Sequence, residues 1–101
     1  MNSPAKSFFI STAIPYVNAM PHLGFALEVV QADVIARYHR IKKEDVFFLT
    51  GTDENAFKNV LAAQKMNISV KSLVDENTKA FNALKSALNL SIDDFIRTTE
   101  S

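Results

Sequence analysis

The sequence contains no cysteine and only two glycines, and each shortage excludes a class of site. Without cysteine, these 101 residues can form no disulfide, no thiolate nucleophile and no cysteine-ligated zinc site. Gly24 and Gly51 lie too far apart in the chain to form a dinucleotide-binding or P-loop glycine motif. Any phosphate-binding turn therefore has to use Gly24 or Gly51 singly.

The chain also lacks an excess of either charge. Its 11 Lys and Arg residues balance its 11 Asp and Glu residues, so the formal net charge is zero. A basic arm for nucleic acid or for an anionic membrane would require a clear cationic excess. Hydrophobic residues make up 48% of the sequence, which is typical of a chain that buries a core. We therefore expect a folded domain.

No segment predicts a membrane span or a secretory signal. Residues 7–27 carry no charged side chain, but Pro15, Pro21 and His22 would be costly in lipid. The apolar run at residues 8–10 is too short for the hydrophobic region of a signal peptide. We therefore expect a cytoplasmic protein that does not contact a membrane.

The hydrophobic pattern predicts the element order β-α-β-α-α-β. We predict strands over residues 8–14, 46–49 and 94–98, and helices that begin near residues 21, 56 and 69. The first strand does not alternate cleanly, which favours burial on both faces. The residues predicted to face the core are Leu23, Leu27, Val30, Val34 and Ile41 in the first helix, Phe57, Val60 and Leu61 in the second, and Leu73, Asn77, Ala80, Phe81, Leu84 and Leu88 in the third.

This order predicts an α/β fold with a parallel sheet. Strand–helix–strand connections of this length favour parallel pairing with right-handed crossovers. Three strands are few, because a doubly wound sheet of the Rossmann type normally has five or six strands. The chain is therefore predicted to be the truncated first half of such a sheet, with an open edge through which it can self-associate.

The candidate site lies where the predicted strands end. In open parallel sheets, ligands bind beyond the carboxyl ends of the strands, and Gly24 and Gly51 are predicted to follow the first two strands. His22 and Gly24 lie in the first turn of the predicted helix, where unpaired N–H groups and the helix dipole favour an anion. There Gly24 lets a base or phosphate approach the backbone, and His22 is placed to donate a hydrogen bond to a phosphate oxygen.

Each of these residues also has a simpler interpretation. His22 is equally explained as a surface histidine near a helix start, and Asp53 and Glu54 as carboxylates at the start of the next helix. His39 is expected on a solvated face and is assigned no role. The cations of residues 37–43 are expected to complement the helix dipole rather than to bind nucleic acid.

Four segments together resemble methionyl-tRNA synthetases, which are class I aminoacyl-tRNA synthetases. Residues 10–24, ISTAIPYVNAMPHLG, are similar to the first, histidine-containing signature of that family, and residues 31–40 continue the match. Residues 47–54, FFLTGTDE, resemble its second block, and residues 94–99, DFIRTT, resemble the segment that leads into its inserted connective domain. Leucyl, valyl and isoleucyl synthetases share the histidine motif, but the TGTDE sequence at residues 50–54 favours methionine.

The resemblance implies a reaction and a role for particular residues. Methionine would be activated by ATP, which enters with Mg²⁺ as substrate, and then transferred from the adenylate to tRNA. His22 would be the catalytic residue that stabilises the phosphates in the transition state. The implied ATP-binding positions are His22, Gly24, Phe25 and Asn18, and the implied methionine-binding positions are Ile14, Tyr16 and Asp53. No metal site is implied within this chain, and zinc is expected only in the connective domain.

Two positions depart from the family pattern. Phe25 replaces the second histidine of the signature and cannot donate a hydrogen bond to a phosphate. Loss of one such donor costs about 3 kcal/mol in other enzymes, which predicts slower chemistry or a substitute group. Asn55 and Ala56 stand where His-Gly is common in the family, so no role is transferred to them.

The resemblance covers only the beginning of the family's catalytic domain. The lysine-rich second signature, the zinc knuckle and the helical anticodon-binding domain have no counterpart in residues 1–101. We therefore expect these residues to form the N-terminal half of the catalytic domain and to charge no tRNA by themselves. The expected partners are methionine, ATP, the rest of the catalytic domain and, through regions outside this chain, tRNA.

Two other classes of protein share part of the pattern. One is a nucleotidyltransferase with a His-x-Gly-His signature, which would use His22 in the same way but leaves the TGTDE sequence unexplained. The other is a non-catalytic, synthetase-derived module that binds a protein through the open sheet edge. Substitution of His22 by alanine would damage an ATP site and leave such an interaction intact.

Overall fold

The computed structural model describes residues 6–99 and has the predicted β-α-β-α-α-β order. The elements are β1 (Ser7–Ser11), α1 (Leu23–Ile41), β2 (Asp45–Thr52), α2 (Phe57–Met66), α3 (Val70–Ala87) and β3 (Asp94–Arg97). The three strands form one parallel sheet, as predicted, and their order in the sheet is β1-β2-β3. Helix α1 lies in the connection from β1 to β2, and helices α2 and α3 lie in the connection from β2 to β3.

The central strand, β2, is longer than the sequence predicts. It continues through Thr50, Gly51 and Thr52, whose partners lie on β3. Gly51 is therefore inside the strand and not in a turn after it, and a Cβ atom there would lie 2.2 Å from the carbonyl oxygen of Ile96. The glycine is required by the close approach of β3, so the interpretation of Gly51 as a phosphate-binding turn is wrong.

The core lies between one face of the sheet and helices α1 and α3. Phe48 of β2 is fully buried at its centre, with Val29 from α1 and Val74 from α3 in the same cluster. Phe25 of α1 packs edge-to-face on Phe81 of α3, with the ring centroids 5.1 Å apart. Aromatic pairs in this geometry stabilise a core beyond the area that they bury.

Helix α1 presents the opposite face to the sheet from the one that the periodicity predicts. Its buried residues are Phe25, Val29, Ala32, Asp33 and Ala36, whereas Leu23, Leu27, Val30, Val34 and Ile41 are all exposed. The two sets are about half a turn apart, because successive residues are separated by about 100° around a helix. The helix thus has two apolar faces, and the small side chains of Ala32 and Ala36 suit the one that lies close against β2.

Two further predictions of burial, for α2 and for β1, are also wrong. Phe57 and Leu61 of α2 are exposed, and the buried residues of that helix are Asn59 and Ala63. Strand β1 is covered on one face only, since Phe9 is 60% exposed and stacks on the exposed ring of Phe47. The sheet face that carries these two phenylalanines has no helix over it within residues 6–99.

The third helix agrees with its prediction except at Leu88. Ser69 is the N-cap, and its hydroxyl accepts a hydrogen bond from the backbone N–H of Ser72 at 3.0 Å. Asn89 adopts the predicted left-handed conformation just after the helix, with φ of 51°. Of the predicted stripe, Leu73, Asn77 and Phe81 are buried and Leu88 is exposed.

The sequence predicts that His39 lies on a solvated face, and this prediction is wrong. Its ring stacks on Phe8 with a centroid separation of 3.6 Å and is hydrogen-bonded to Glu44. It therefore fastens the end of α1 to β1. Among the helices of residues 6–99, none combines the length and the apolar character that crossing a bilayer requires.

The described chain is more extended than a complete domain of its size. Its radius of gyration is 16.0 Å, whereas a compact domain of about 100 residues has a value of about 13 Å. The smallest dimension is 18 Å, which is consistent with a single layer of helices on a sheet. An apolar sheet face and an apolar outer face of α1 therefore both remain exposed.

Candidate functional site

The connection between β1 and α1 is fixed across the carboxyl ends of the strands. Tyr16 forms a parallel bridge with Asp53, and the backbone N–H of Asp53 donates to the carbonyl of Pro15 at 2.8 Å. Next to it, Val17 is completely buried and its carbonyl accepts a hydrogen bond from the side-chain amide of Asn77 at 2.7 Å. The loop is thus held by β2 on one side and by α3 on the other.

His22 forms the N-cap of α1. Its Nδ1 atom accepts a hydrogen bond from the backbone N–H of Gly24 at 2.9 Å, which satisfies one of the unpaired donors at the helix start. The ring lies directly over Gly24, since a Cβ atom there would be 2.7 Å from Cε1 of the imidazole. A side chain at position 24 would therefore displace the His22 ring, and a base can reach Gly24 only when this ring rotates away.

Asp53 follows β2 immediately and makes four hydrogen bonds. Its N–H donates to the carbonyl of Pro15, and its own carbonyl accepts from the buried amide of Asn59 at 3.3 Å. Its Oδ1 atom accepts from the N–H of Asn55 at 3.2 Å and from the hydroxyl of Thr98 at 3.4 Å. Within residues 6–99, no group donates a hydrogen bond to Oδ2. The half-buried carboxylate can therefore accept a further donor such as an ammonium group.

Glu54 lies beside Asp53 but points into the protein, where it forms a buried ion pair. Its side chain is 0% exposed, and Arg97 of β3 donates to both carboxylate oxygens, at 2.5 and 2.8 Å. Thr99 donates a further hydrogen bond at 2.8 Å. The same arginine also pairs with Asp75 of α3, which in turn pairs with Lys71. The network joins the ends of β2 and β3 to α3.

These contacts change the pKa values of both carboxylates in the same direction. Burial raises the pKa of Glu54, but the hydrogen bonds from Arg97 and Thr99 outweigh it and hold the pKa below its ordinary value. The hydrogen bond from Lys71, followed by that from Arg97, lowers the pKa of Asp75 to about 2. Both groups are therefore ionised near neutral pH and serve the ion network rather than proton transfer.

Most of the predicted site residues are exposed in the structure. His22, Gly24 and Asn18 are exposed, and Ile14 and Tyr16 are partly exposed on the segment that runs beside Asp53. Lys58 lies over the Tyr16 ring, with its Nζ atom 5.5 Å from the centroid. These residues come from the β1–α1 connection and the ends of β2 and α2, as expected for a site at the carboxyl edge of a parallel sheet.

Phe25 is the exception among the predicted ATP-binding positions. Its side chain is only 6% exposed and packs against Phe81 in the core. The ring is therefore part of the core and does not reach the surface that His22 and Gly24 share. The first turn of α1 turns this side chain inward, and an apolar residue is well suited to such a position.

Sequence reasoning missed three residues that shape the site. Asn59, Arg97 and Thr98 contact Asp53 or Glu54 but are distant from them in sequence or lie on another element. Asn59 is fully buried, and its Oδ1 atom has no hydrogen-bond partner within residues 6–99. The burial of Asn59 is visible only in the structure, and the sequence contains no signal for Thr98.

The described residues do not provide a metal centre. In the part of the chain covered by residues 6–99, no three His, Asp or Glu side chains come close enough together to hold an ion. The carboxylates that do cluster, Glu54 and Asp75, are already paired with cations of the protein.

Comparison with known proteins supports the resemblance noted in the sequence. The family model described as "tRNA synthetases class I (M)" matches residues 8–101. The methionine–tRNA ligase of Brucella suis is 45% identical over 95 residues, and that of Mycobacterium tuberculosis is 44% identical over 96 residues. These matches cover 94% and 95% of this chain and 18% of each relative.

A solved structure has the same fold over the matched part. The structure of M. tuberculosis methionyl-tRNA synthetase in complex with methionyl-adenylate superimposes on this chain with a TM-score of 0.93 at 44% identity. The match covers 95% of this chain and 19% of that one. The chain thus spans about one fifth of the length of the relatives that it matches. On the match of residues 8–101, this chain belongs to the family of class I tRNA synthetases of the methionine type.

Proposed function

We propose that this chain supplies the N-terminal part of a methionyl-tRNA synthetase catalytic domain, the part that holds the methionine ammonium and the ATP phosphates. The observation that carries the proposal is the juxtaposition of two features at one sheet edge. The N-terminus of α1 offers backbone donors to an anion, and Asp53, which is bridged to Tyr16 in the same loop, offers an acceptor to a cation. A substrate pair of methionine and ATP carries both of these charges.

The proposed reaction begins with the methionine carboxylate. A carboxylate oxygen attacks the α-phosphorus of ATP, the bond from that phosphorus to the bridging oxygen breaks, and Mg²⁺-pyrophosphate leaves with the electron pair. The carboxylate is already ionised, so this step needs no general base. Catalysis then rests on positioning and on stabilisation of the phosphate charge, and His22 is the side chain of this chain that serves it. A hydroxyl of the terminal adenosine of tRNA then attacks the carbonyl carbon of the adenylate and loses its proton, the bond from that carbon to the phosphate oxygen breaks, and AMP leaves.

Binding of ATP would change the contacts of His22. In the structure the imidazole lies over Gly24 and caps its N–H. We propose that the phosphates take over this N–H, as anions do at helix N-termini, and that the released imidazole donates to a phosphate oxygen. Gly24 is then open to the adenine, and the exposed side chain of Asn18 lies in the same loop.

The methionine side would use the segment that follows β1. Asp53 pairs with the α-ammonium through its open Oδ2 atom, and the partly exposed side chains of Ile14 and Tyr16 contribute to the thioether pocket. The M. tuberculosis relative was solved with methionyl-adenylate, a ligand with both of these groups. In bulk transfer energy a thioether differs little from other apolar side chains, so selectivity has to come from pocket shape and the ammonium contact.

The proposal also assigns a partner to the exposed apolar surfaces. The open sheet face with Phe9 and Phe47, and the outer face of α1 with Leu27 and Val34, would pack against the rest of the catalytic domain. tRNA would be bound by regions of the relatives that this chain does not match. We place the activity in the cytoplasm, where it would serve protein synthesis.

Reconstitution tests this proposal. The chain is mixed with a fragment of a homologous methionine–tRNA ligase that begins after the matched segment, and methionine-dependent exchange of pyrophosphate into ATP is measured. We expect exchange with the wild-type chain and a loss of at least about 100-fold with His22→Ala, the loss typical of a removed transition-state donor. His39→Ala, at a histidine remote from the site, serves as the matched control if the variant is folded. A folded, associated pair without exchange contradicts the proposal.

A further inference from the structure

The end of β3 places a hydroxyl group between Asp53 and Glu54. Thr98 follows β3 directly, and its backbone N–H donates to the carbonyl of Thr52 at 3.2 Å, which extends the pairing with β2 by one residue. As a result, its side chain lies beside the two acidic residues that follow β2. No residue of the β1–α1 connection, where most of the site lies, makes this contact within residues 6–99.

The hydrogen bonds of Thr98 have a direction that the chemistry fixes. Its Oγ1 atom accepts from the backbone N–H of Glu54 at 2.8 Å. A threonine hydroxyl has one proton and two lone pairs, so its proton stays available for an acceptor. The nearest carboxylate oxygen is Oδ1 of Asp53, at 3.4 Å. The side-chain amide of Asn55 also reaches the Thr98 carbonyl and hydroxyl, at 3.4 and 3.5 Å.

These contacts occupy one oxygen of Asp53 and leave the other open. Oδ1 accepts from the Asn55 N–H at 3.2 Å and from Thr98, whereas Oδ2 has no donor among the described residues. Rotation of Asp53 about its side-chain torsion would break both contacts to Oδ1. The Asn55 contact alone is local, between residues two apart in the chain, and Thr98 adds the restraint from another strand.

The residues next to Thr98 hold it in place. Arg97 is anchored to the buried carboxylate of Glu54 by two hydrogen bonds, and Thr99 donates to the same carboxylate at 2.8 Å. Thr98 is thus fixed by both chain neighbours as well as by its own N–H. A hydroxyl that is held in this way can orient a neighbouring group with little loss of its own conformational freedom.

We propose that Thr98 is a positioning residue that holds the Asp53 carboxylate in one rotamer, with Oδ2 directed to the α-ammonium of the amino-acid substrate. The identity of that ligand rests on the proposed function; the orientation of Asp53 does not. Thr98 touches no substrate atom in this scheme and acts only through Asp53.

The first test measures the orientation of Asp53 without any ligand. Three-bond scalar couplings of the labelled chain report the side-chain torsion of Asp53 in the wild type and in Thr98→Val, Thr98→Ser and Thr78→Val. We expect a single rotamer in the wild type, averaging over rotamers in Thr98→Val, and a single rotamer in Thr98→Ser, which restores the hydroxyl. Thr78→Val is the matched control, since it removes a hydroxyl of α3 that contacts Glu54 and not Asp53, and its couplings should equal those of the wild type. A residue with a purely structural role would alter thermal stability and leave the Asp53 couplings unchanged.

The second test adds the substrate. Binding of a non-hydrolysable methionyl-adenylate analogue is compared with binding of the same compound without its α-amino group. We expect Thr98→Val to weaken the first by about tenfold, which corresponds to weakening one hydrogen bond to a charged group, and to leave the second unchanged. If the wild-type chain binds neither compound, the proposed function fails for this chain, whereas the couplings still decide the role of Thr98. One Asp53 rotamer in Thr98→Val, or averaging in Thr98→Ser, would overturn the inference.

Discussion

Removal of the Arg97 guanidinium should cost much more stability than removal of the Glu54 charge, although the two form one ion pair. The Glu54 side chain is 0% exposed and the Arg97 side chain is 32% exposed. Arg97→Met leaves a carboxylate buried without a cation, whereas Glu54→Gln leaves an arginine that still reaches solvent and keeps Asp75. The buried partner should therefore tolerate the loss of its counter-ion least.

The expected magnitudes follow from this asymmetry. Breaking a buried pair by removing one partner costs about 3–5 kcal/mol in other proteins. Glu54 keeps hydrogen bonds from three threonine hydroxyls, Thr52, Thr78 and Thr99, which favours the low end. We expect about 3 kcal/mol for Arg97→Met and about 1 kcal/mol for Glu54→Gln, the value for loss of one hydrogen-bonded contact.

The pH dependence of Arg97→Met should have the opposite sign to that of the wild type. In the wild type the pKa of Glu54 is lowered, so its stabilisation is present above the unfolded pKa and is lost as the pH falls. Without Arg97, burial would raise the pKa of Glu54 above its unfolded value. The carboxyl group then takes up a proton as the pH falls, and the loss in stability measured at pH 7 should shrink towards pH 5.

Urea unfolding followed by circular dichroism at pH 7 and pH 5 measures these effects. The control is Lys71→Met, which removes a cation that is 84% exposed from the same network and should cost less than about 1 kcal/mol. The double variant Glu54→Gln with Arg97→Met should recover much of the loss, because it leaves no buried charge. The reasoning is refuted if Arg97→Met is no more costly than Lys71→Met, or if Glu54→Gln is the more costly change of the pair.

Three further outcomes follow from the packing and the charges. Gly51→Ala should lower the free energy of unfolding by about 2 kcal/mol or more and expose the β3 amides to hydrogen exchange, because the added Cβ atom meets the backbone of β3. Gly24→Ala should cost less, because its Cβ atom meets only the movable His22 ring. An equal loss of stability in both variants would contradict this reasoning. Phe25→His should destabilise the chain by about 3 kcal/mol in urea unfolding, because it buries an imidazole in the core. The control Phe25→Leu should cost less than about 1.5 kcal/mol. A fully stable Phe25→His variant would show that the ring is not buried. The lowered pKa of Asp75 contributes stability that is present above its ordinary value of 3.8 and is lost as the pH falls towards 2. Asp75→Asn should therefore reduce the dependence of the free energy of unfolding on pH in that window, whereas the exposed control Asp94→Asn should not. Identical acid-unfolding curves for Asp75→Asn and the wild type would refute the assignment.

The element order and the location of the site could be predicted because they depend on local signals. Short apolar runs mark the three strands, and Ser69 and Asn89 mark the ends of α3 by the capping preferences of their side chains. The placement of His22 and Asp53 at one edge follows from parallel pairing, in which the carboxyl ends of all strands meet.

The orientation of α1 could not be predicted in the same way. The helix carries two apolar stripes about half a turn apart, and periodicity does not say which of them faces the sheet. The stripe with larger side chains, including Leu23 and Ile41, is the exposed one, at 84% and 79% exposure. The stripe with Ala32 and Ala36 faces the sheet, because its small side chains permit a close approach to β2.

The roles of Arg97 and Thr98 were hidden for a different reason. Their partners, Asp53 and Glu54, lie more than forty residues earlier in the chain and meet them only through the pairing of β2 with β3. These contacts form because β2 continues through Gly51 and Thr52, whereas the sequence pattern predicts that the strand ends at residue 49. Contacts that depend on strand register are accessible only from the structure.

An amide NMR titration of this chain with a non-hydrolysable methionyl-adenylate analogue, with the leucyl analogue as control, tests the proposed methionine site most directly. Asp53→Asn, compared with Asp94→Asn at a carboxylate outside the site, checks the ammonium contact. We expect shifts at Ile14, Gly24 and Asp53 with the methionyl compound only, and their loss in Asp53→Asn but not in Asp94→Asn. A folded chain whose spectrum responds to neither compound, or to both equally, would contradict the claim that this chain holds a methionine-specific half of the adenylate site.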